Sequence, residues 1–135
     1  MNDIINYIPQ RPPFVMIDTL ISTDEVCSKT SFTIPHDHFF VEDGFFIASG
    51  LVENMAQTAA AGTGFKAFHS GTAAPVGFIG ALKNLLINTL PKSGATITTT
   101  VNFGMQVLNA QIVQASIMQD QMEIASCELK IFIQP

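Results

Sequence analysis

Glu53 and Gln57 stand one helical turn apart in the run Leu51-Val52-Glu53-Asn54-Met55-Ala56-Gln57, and the chain's three imidazoles are His36, His38 and His69. A carboxyl flanked by Leu51, Val52, Met55 and Ala56 is poorly solvated, the setting that suits a general acid. A histidine takes up a proton near neutrality when its neutral form prevails. Plainer readings stand beside these. The macrodipole alone favours an acidic residue early in a helix. His38 and His36 flank Asp37 as surface groups would, and His69 falls among Phe68, Ser70 and Gly71 in a loop. Gln57 either orients Glu53 or a substrate hydroxyl, or is simply a satisfied buried amide.

Other chemistries find less footing. His36-Asp37-His38 puts two imidazoles at alternate positions but offers no third metal ligand. Gly62-Thr63-Gly64 and the glycines at 77 and 80 lack the spacing of a phosphate-binding loop. Cys27 and Cys127 are too few for a disulfide framework, and both lie in strand-like runs, so they read as reduced core residues.

The elements that must position these groups follow from periodicity. Residues 49–61 form the one convincing helix, with Leu51, Val52, Met55, Ala56, Ala59 and Ala60 on an apolar stripe. Ser49 is its expected N-cap. Gly62 and Gly64 blur its end, which extends as far as 68 in the longer reading. Strands are expected at 14–21, 26–34, 76–84, 85–90, 95–103, 106–118 and 122–133. The last alternates most cleanly, with Ala125, Cys127, Leu129, Ile131 and Ile133 facing one way. Asp120-Gln121 serves as a hairpin connection, and Pro91-Lys92-Ser93-Gly94 as a turn. One helix cannot cover both faces of such a sheet. An α+β domain spanning 1–135 results, its antiparallel sheet of five to six strands curled around one long central helix.

Composition bounds the partners. The 135 residues are 47% hydrophobic and only 13% charged, which excludes intrinsic disorder. A net charge of −5 with a single arginine, Arg11, repels a phosphate backbone, so nucleic acid is not an expected partner. No apolar run is long enough to span a bilayer, and the start Met1-Asn2-Asp3 has no basic leader, so a cytoplasmic protein away from membranes is expected. No charge occurs in 93–119, yet Asn102, Gln106, Asn109, Gln111 and Gln114 interrupt the apolar positions. Such depletion suits a sheet partly covered by another subunit.

Three segments in order resemble the hot-dog-fold 3-hydroxyacyl-acyl-carrier-protein dehydratases. Ile8-Pro9-Gln10-Arg11-Pro12-Pro13-Phe14-Val15-Met16-Ile17-Asp18 is similar to that family's opening, in which a Pro-His-Arg run leads through Pro-Phe into an apolar strand closed by Asp. Leu51 to Gln57 is similar to the helix carrying the family's catalytic Glu before Met-Ala-Gln. Ala81-Leu82-Lys83-Asn84 through Pro91-Lys92-Ser93-Gly94 falls where the family has a lysine-bearing strand and a Pro-Gly turn. Departures mark a divergent branch, similar to the dehydratases of aryl polyene or related pigment pathways. His38-Phe39 keeps half of the family's His-Phe-Pro-Gly motif, one residue further from Glu53, and Gln10 replaces the histidine of the opening run.

The resemblance implies a chemistry. Glu53 handles the leaving hydroxyl, His38 takes the C2 proton, and the backbone amide of Gly50 or Leu51 donates to the thioester carbonyl from the helix N-terminus. Gln57 and Phe39 join Gly50 and Leu51 as substrate-binding residues. In the family, His and Glu come from two subunits. The implied protein is therefore a homodimer or a trimer of dimers acting on an acyl thioester, borne by acyl carrier protein, in a pathway of the fatty-acid-synthesis type. No metal and no organic cofactor are expected. Phe39, Phe40, Phe45, Phe46, Phe65, Phe68 and Phe78 line an acyl tunnel or build the core, while Lys83 and Arg11 attract a phosphopantetheine phosphate or face solvent. Two alternatives stay open: a hot-dog thioesterase in which Glu53 activates water, and a non-catalytic acyl-binding or partner subunit that lost the base.

Overall fold

A computed structural model describes residues 3–134, so the Met1-Asn2 start and Pro135 lie outside the described residues. A single 3-10 turn at Ile4–Asn6 is followed by β1 (Thr19–Thr23), β2 (Cys27–Thr33), β3 (Val41–Glu42), β4 (Phe45–Phe46), α1 (Ala48–His69), β5 (Val76–Ile87), β6 (Thr96–Val107), β7 (Ala110–Gln119) and β8 (Met122–Gln134). Six strands form one antiparallel sheet in the order β1-β2-β6-β7-β8-β5, and β3 and β4 make a small separate hairpin. This is the expected hot-dog architecture, one long helix against a curled sheet.

Alternation builds the core. Ile97, Val101, Val113, Ile117 and Leu129 point inward from β6, β7 and β8 and are fully buried against Leu51 and Met55 of α1. Each such side chain contributes about 1.5–3 kcal/mol on leaving water. A second cluster of Ile4, Tyr7, Ile8, Ile17, Leu20 and Ala61 fastens the N-terminal segment to the later turns of α1.

The helix passes straight through its glycines, for a steric reason. A Cβ at Gly64 would collide with the Tyr7 carbonyl, and one at Gly62 with the Ser28 hydroxyl. Both residues therefore serve close approach of the helix to its neighbours rather than termination. The start of the helix also differs from expectation. Ile47, in extended backbone and with no side-chain cap bond, precedes Ala48, so Ser49 is a helical residue and not the N-cap.

Several strand boundaries move. Residues 14–18 are coil, and β1 begins only at Thr19, because the Phe14 and Met16 backbone bonds to helix side chains and the first bond to β2 is made by the Asp18 amide. The two strands expected at 76–90 are one, interrupted by irregularities between Ile79 and Ala81 and between Lys83 and Leu86, with Asn84 in the left-handed region at φ 56°. Gln106 and Val107 belong to β6, since the hairpin turns at Leu108 and Asn109. Asp120 and Gln121, at φ 50° and 68°, make the tight β7–β8 turn as expected. Cys127 is buried, with its thiol pushed up to about 11 by desolvation, whereas Cys27 is only half-buried and lies outside the core.

Candidate active site

An open cavity of about 530 Å³ lies between the N-terminal segment, α1 and the sheet. Its walls come from Ile8 and Arg11, from Glu53, Ala56 and Ala60 on successive turns of α1, and from Phe78 and Ile131. The spacing of Glu53, Ala56 and Ala60 explains the shape. Small side chains on one helix face leave a trough, and the carboxyl stands at its head. Glu53 is half-buried. It sits in the second turn of α1 and no acidic residue occupies the first, so the macrodipole alone does not account for it.

Gln57 holds that carboxyl. Its Nε2 donates to Glu53 Oε1 at 3.0 Å and to the Phe14 carbonyl at 2.7 Å, while its Oε1 accepts from the Met16 amide at 2.7 Å. Only 1% of Gln57 is exposed, so these bonds act in a low-dielectric interior. Gln57 thus orients Glu53, and the coil at 14–16 orients Gln57. Asn54, which sequence reasoning passed over, extends the arrangement. Its Nδ2 donates to the Met16 carbonyl at 2.7 Å, its Oδ1 accepts from Thr99 Oγ1, and Thr58 bridges its carbonyl to Thr30. A buried amide three residues before another was the available signal. An apolar-stripe reading has no place for it.

His38 lies elsewhere in the chain. It is not on the wall of the Glu53 cavity but among Phe32, Phe39, Phe40 and Phe46 before the helix N-terminus. Its Nδ1 accepts the Phe40 amide hydrogen at 3.0 Å, and its Nε2 is buried with no hydrogen-bond partner among the described residues. Desolvation lowers its pKa from the ordinary 6.5, opposed by the Pro13 carbonyl and the Asp37 charge, so the neutral form is favoured. An imidazole that accepts at Nδ1 carries its one proton on Nε2. In this arrangement the ring is a donor at Nε2.

The remaining expected site residues divide. The amides of Gly50 and Leu51 both donate to the Ile47 carbonyl, at 3.0 and 3.2 Å, and so are spent. Because the N-cap is Ile47 and not Ser49, Ala48 and Ser49 are the first-turn donors without an intrahelical acceptor. Gly50 instead admits the Phe46 ring, 2.5 Å from where a Cβ would stand, and the Leu51 side chain is core. Phe39 is 49% exposed and lies outside the cavity. Of the seven phenylalanines considered for a tunnel, only Phe78 lines it, joined by Phe103. Arg11 borders the cavity with Nη1 turned back to the Ile8 and Gln10 carbonyls, Lys83 is exposed on β5, and His36 bonds Ser93 on the surface. His69 ends α1 as an exposed residue against Phe65.

The profile of the ApeP-like family, described as ApeP dehydratase, matches residues 2–135. The chain belongs to this dehydratase family. Its fold is similar to the dehydratase heterocomplex ApeI:P from Xenorhabdus doucetiae, at TM-score 0.88 and 15% identity over 98% of this chain and 91% of that one. It is also similar to the E. coli PaaI protein from the phenylacetic acid degradation operon, at TM-score 0.67 and 17% identity over 84% and 80%. A hypothetical thioesterase with coenzyme A from Streptococcus pneumoniae TIGR4 shares the fold at TM-score 0.68 and 8% identity over 86% and 84%. No curated protein matches the sequence. At these identities the structural likenesses speak for the fold, and the family membership rests on the profile.

Proposed function

We propose that the protein eliminates water from a 3-hydroxyacyl chain carried as a thioester on acyl carrier protein. The observation that carries this is the Glu53 carboxyl at the head of an apolar cavity, with Oε1 held by Gln57 and Oε2 without a partner among the described residues. Glu53 gives its proton to the leaving C3 hydroxyl as the C3–O bond breaks and water departs. The C2–H pair becomes the new C2–C3 double bond, and the C2 proton goes to a base. His38 is that base in the proposal. The role requires its Nε2 lone pair, so its proton must move to Nδ1 and the Phe40 amide bond must open when substrate binds.

Assembly belongs to the same proposal. Strand β5 forms one edge of the sheet, pairing only with β8, and Phe78, Ile79, Leu82, Leu85 and Leu86 on it are exposed. A long apolar edge of this kind invites a further strand. A second copy pairing there gives a dimer, or a trimer of dimers, and walls off the cavity where Phe78 and Ile79 border it.

One observation favours a second reading, in which this chain contributes the Glu53 cavity to a complex whose other subunit supplies the base. It is the buried Nε2 of His38, without a hydrogen-bond partner among the described residues, on a ring whose Nδ1 is occupied by the Phe40 amide. The similarity to a dehydratase heterocomplex agrees with it.

Intact-mass analysis of a panel of 3-hydroxyacyl carrier proteins separates the readings. Loss of one water by the protein alone is the expected result. Release of free acid instead points to a thioesterase, and no turnover until a second subunit is added points to the partner reading.

A further inference from the structure

We infer that His38 is a positioning residue for Glu53, acting across the coil at 13–14 and the Gln57 amide. The inference rests on the reading of Glu53 as the group that meets substrate. It holds whether or not the imidazole also receives a proton.

The connection is continuous in space. The His38 ring stacks on Phe39 with centroids 5.0 Å apart and planes 20° from parallel. Phe39 meets Phe14 edge-on at 5.3 Å and 76°. The Phe14 carbonyl then accepts from Gln57 Nε2, the same nitrogen that donates to Glu53 Oε1. The Pro13 carbonyl also faces the imidazole, although Nε2 forms no hydrogen bond of good geometry with it.

The coil depends on these contacts because it has little else. Phe14 and Met16 belong to no strand. Their backbone bonds run to the Arg11 carbonyl behind and to the Asn54 and Gln57 side chains of α1. Phe14 itself is exposed, so the aromatic stack is what fixes its side of the coil. Moving Phe14 moves the acceptor that shares Gln57 Nε2 with the carboxylate. Aromatic pairs in these geometries attract beyond their buried area, so the stack holds the coil at Phe14 in place.

A double-mutant cycle separates positioning from proton transfer. Phe39→Leu, which breaks the stack and leaves the imidazole in place, Gln57→Ala and the double variant are compared by kcat and KM on a 3-hydroxyacyl carrier protein. Side-chain amide resonances of Gln57 are followed in 15N-glutamine-labelled samples of wild type, His38→Ala and His38→Phe. The inference predicts that Phe39→Leu lowers kcat with KM nearly unchanged, yet costs less than about twofold when Gln57 is already Ala, as a shared path requires. It predicts that His38→Ala shifts the Gln57 amide signals, and that His38→Phe, which keeps the stack but cannot take a proton, restores those signals. Losses that multiply in the double variant, or Gln57 signals unmoved in a folded His38→Ala protein, overturn it. Should His38→Ala not fold, Phe39→Leu breaks the same stack and reads the same way. Absence of wild-type turnover sinks the dehydratase reading, while the Gln57 signals still decide the positioning.

Discussion

Gln57 Nε2 donates at once to Glu53 Oε1 at 3.0 Å and to the Phe14 carbonyl at 2.7 Å, so one buried amide nitrogen joins the candidate acid to a coil 43 residues before Gln57 in sequence. The direction of the carboxyl is therefore set by tertiary structure and not by the helix alone.

Replacing Gln57 by Ala tests this dependence. The Met16 amide and the Phe14 carbonyl lose their partner, at about 1–3 kcal/mol for each buried group left unpaired. Freed from its clamp, Glu53 misaligns, and a displacement of about 1 Å lowers kcat on the order of 100-fold. Steady-state kinetics with denaturant titration should show both losses, with KM little altered. Wild-type kcat in a destabilised variant would mean that Glu53 needs no clamp.

Gly64→Ala should destabilise the fold. Elsewhere in a helix interior this change gains about 1 kcal/mol. Here the new methyl would meet the Tyr7 carbonyl, a backbone atom that can yield only if the N-terminal segment lifts off α1. The overpacking cost of about 1–3 kcal/mol should prevail. A melting temperature at or above the wild-type value would contradict the close approach.

The depressed pKa of His38 carries a stability signature. Burial lowers it from 6.5, so the unfolded chain binds protons first as pH falls. Stability is whole above the unfolded value and drains away as pH drops towards the lower native value. Urea midpoints measured from about pH 7.5 to about pH 5 should fall more steeply for wild type than for His38→Phe, which has no group to titrate there. Parallel curves would place His38 in solvent.

Much of the fold was legible because alternation and turn chemistry are local. β8 could be read from Ala125, Cys127, Leu129 and Ile131, and the Asp120-Gln121 turn from its polar pair. The coil at 14–18 could not. Val15, Met16 and Ile17 look like a strand until Gln57 and Asn54, distant in sequence, take their backbone bonds. Glu53 and Gln57 were singled out by type and spacing, and a hydrogen bond joins them in the structure. The Gly50 and Leu51 amides were misplaced because the helix starts without a polar cap, a boundary that leaves no residue signal.

Leu82→Lys with Leu86→Lys should disrupt assembly. Both side chains are exposed on β5, and charge on such an edge blocks pairing. Light scattering should report a monomer for the variant and a dimer or larger for wild type. An unchanged mass would put the interface elsewhere.

The central claim is that Glu53 performs the elimination. Its most direct test is the rate at which a 3-hydroxyacyl carrier protein loses 18 daltons with wild type and with Glu53→Gln, which keeps the shape and the Gln57 contact but cannot release a proton. The account predicts a fall in kcat of about 100- to 10,000-fold, the contribution of a positioned general acid. Dehydration by Glu53→Gln at the wild-type rate would contradict it.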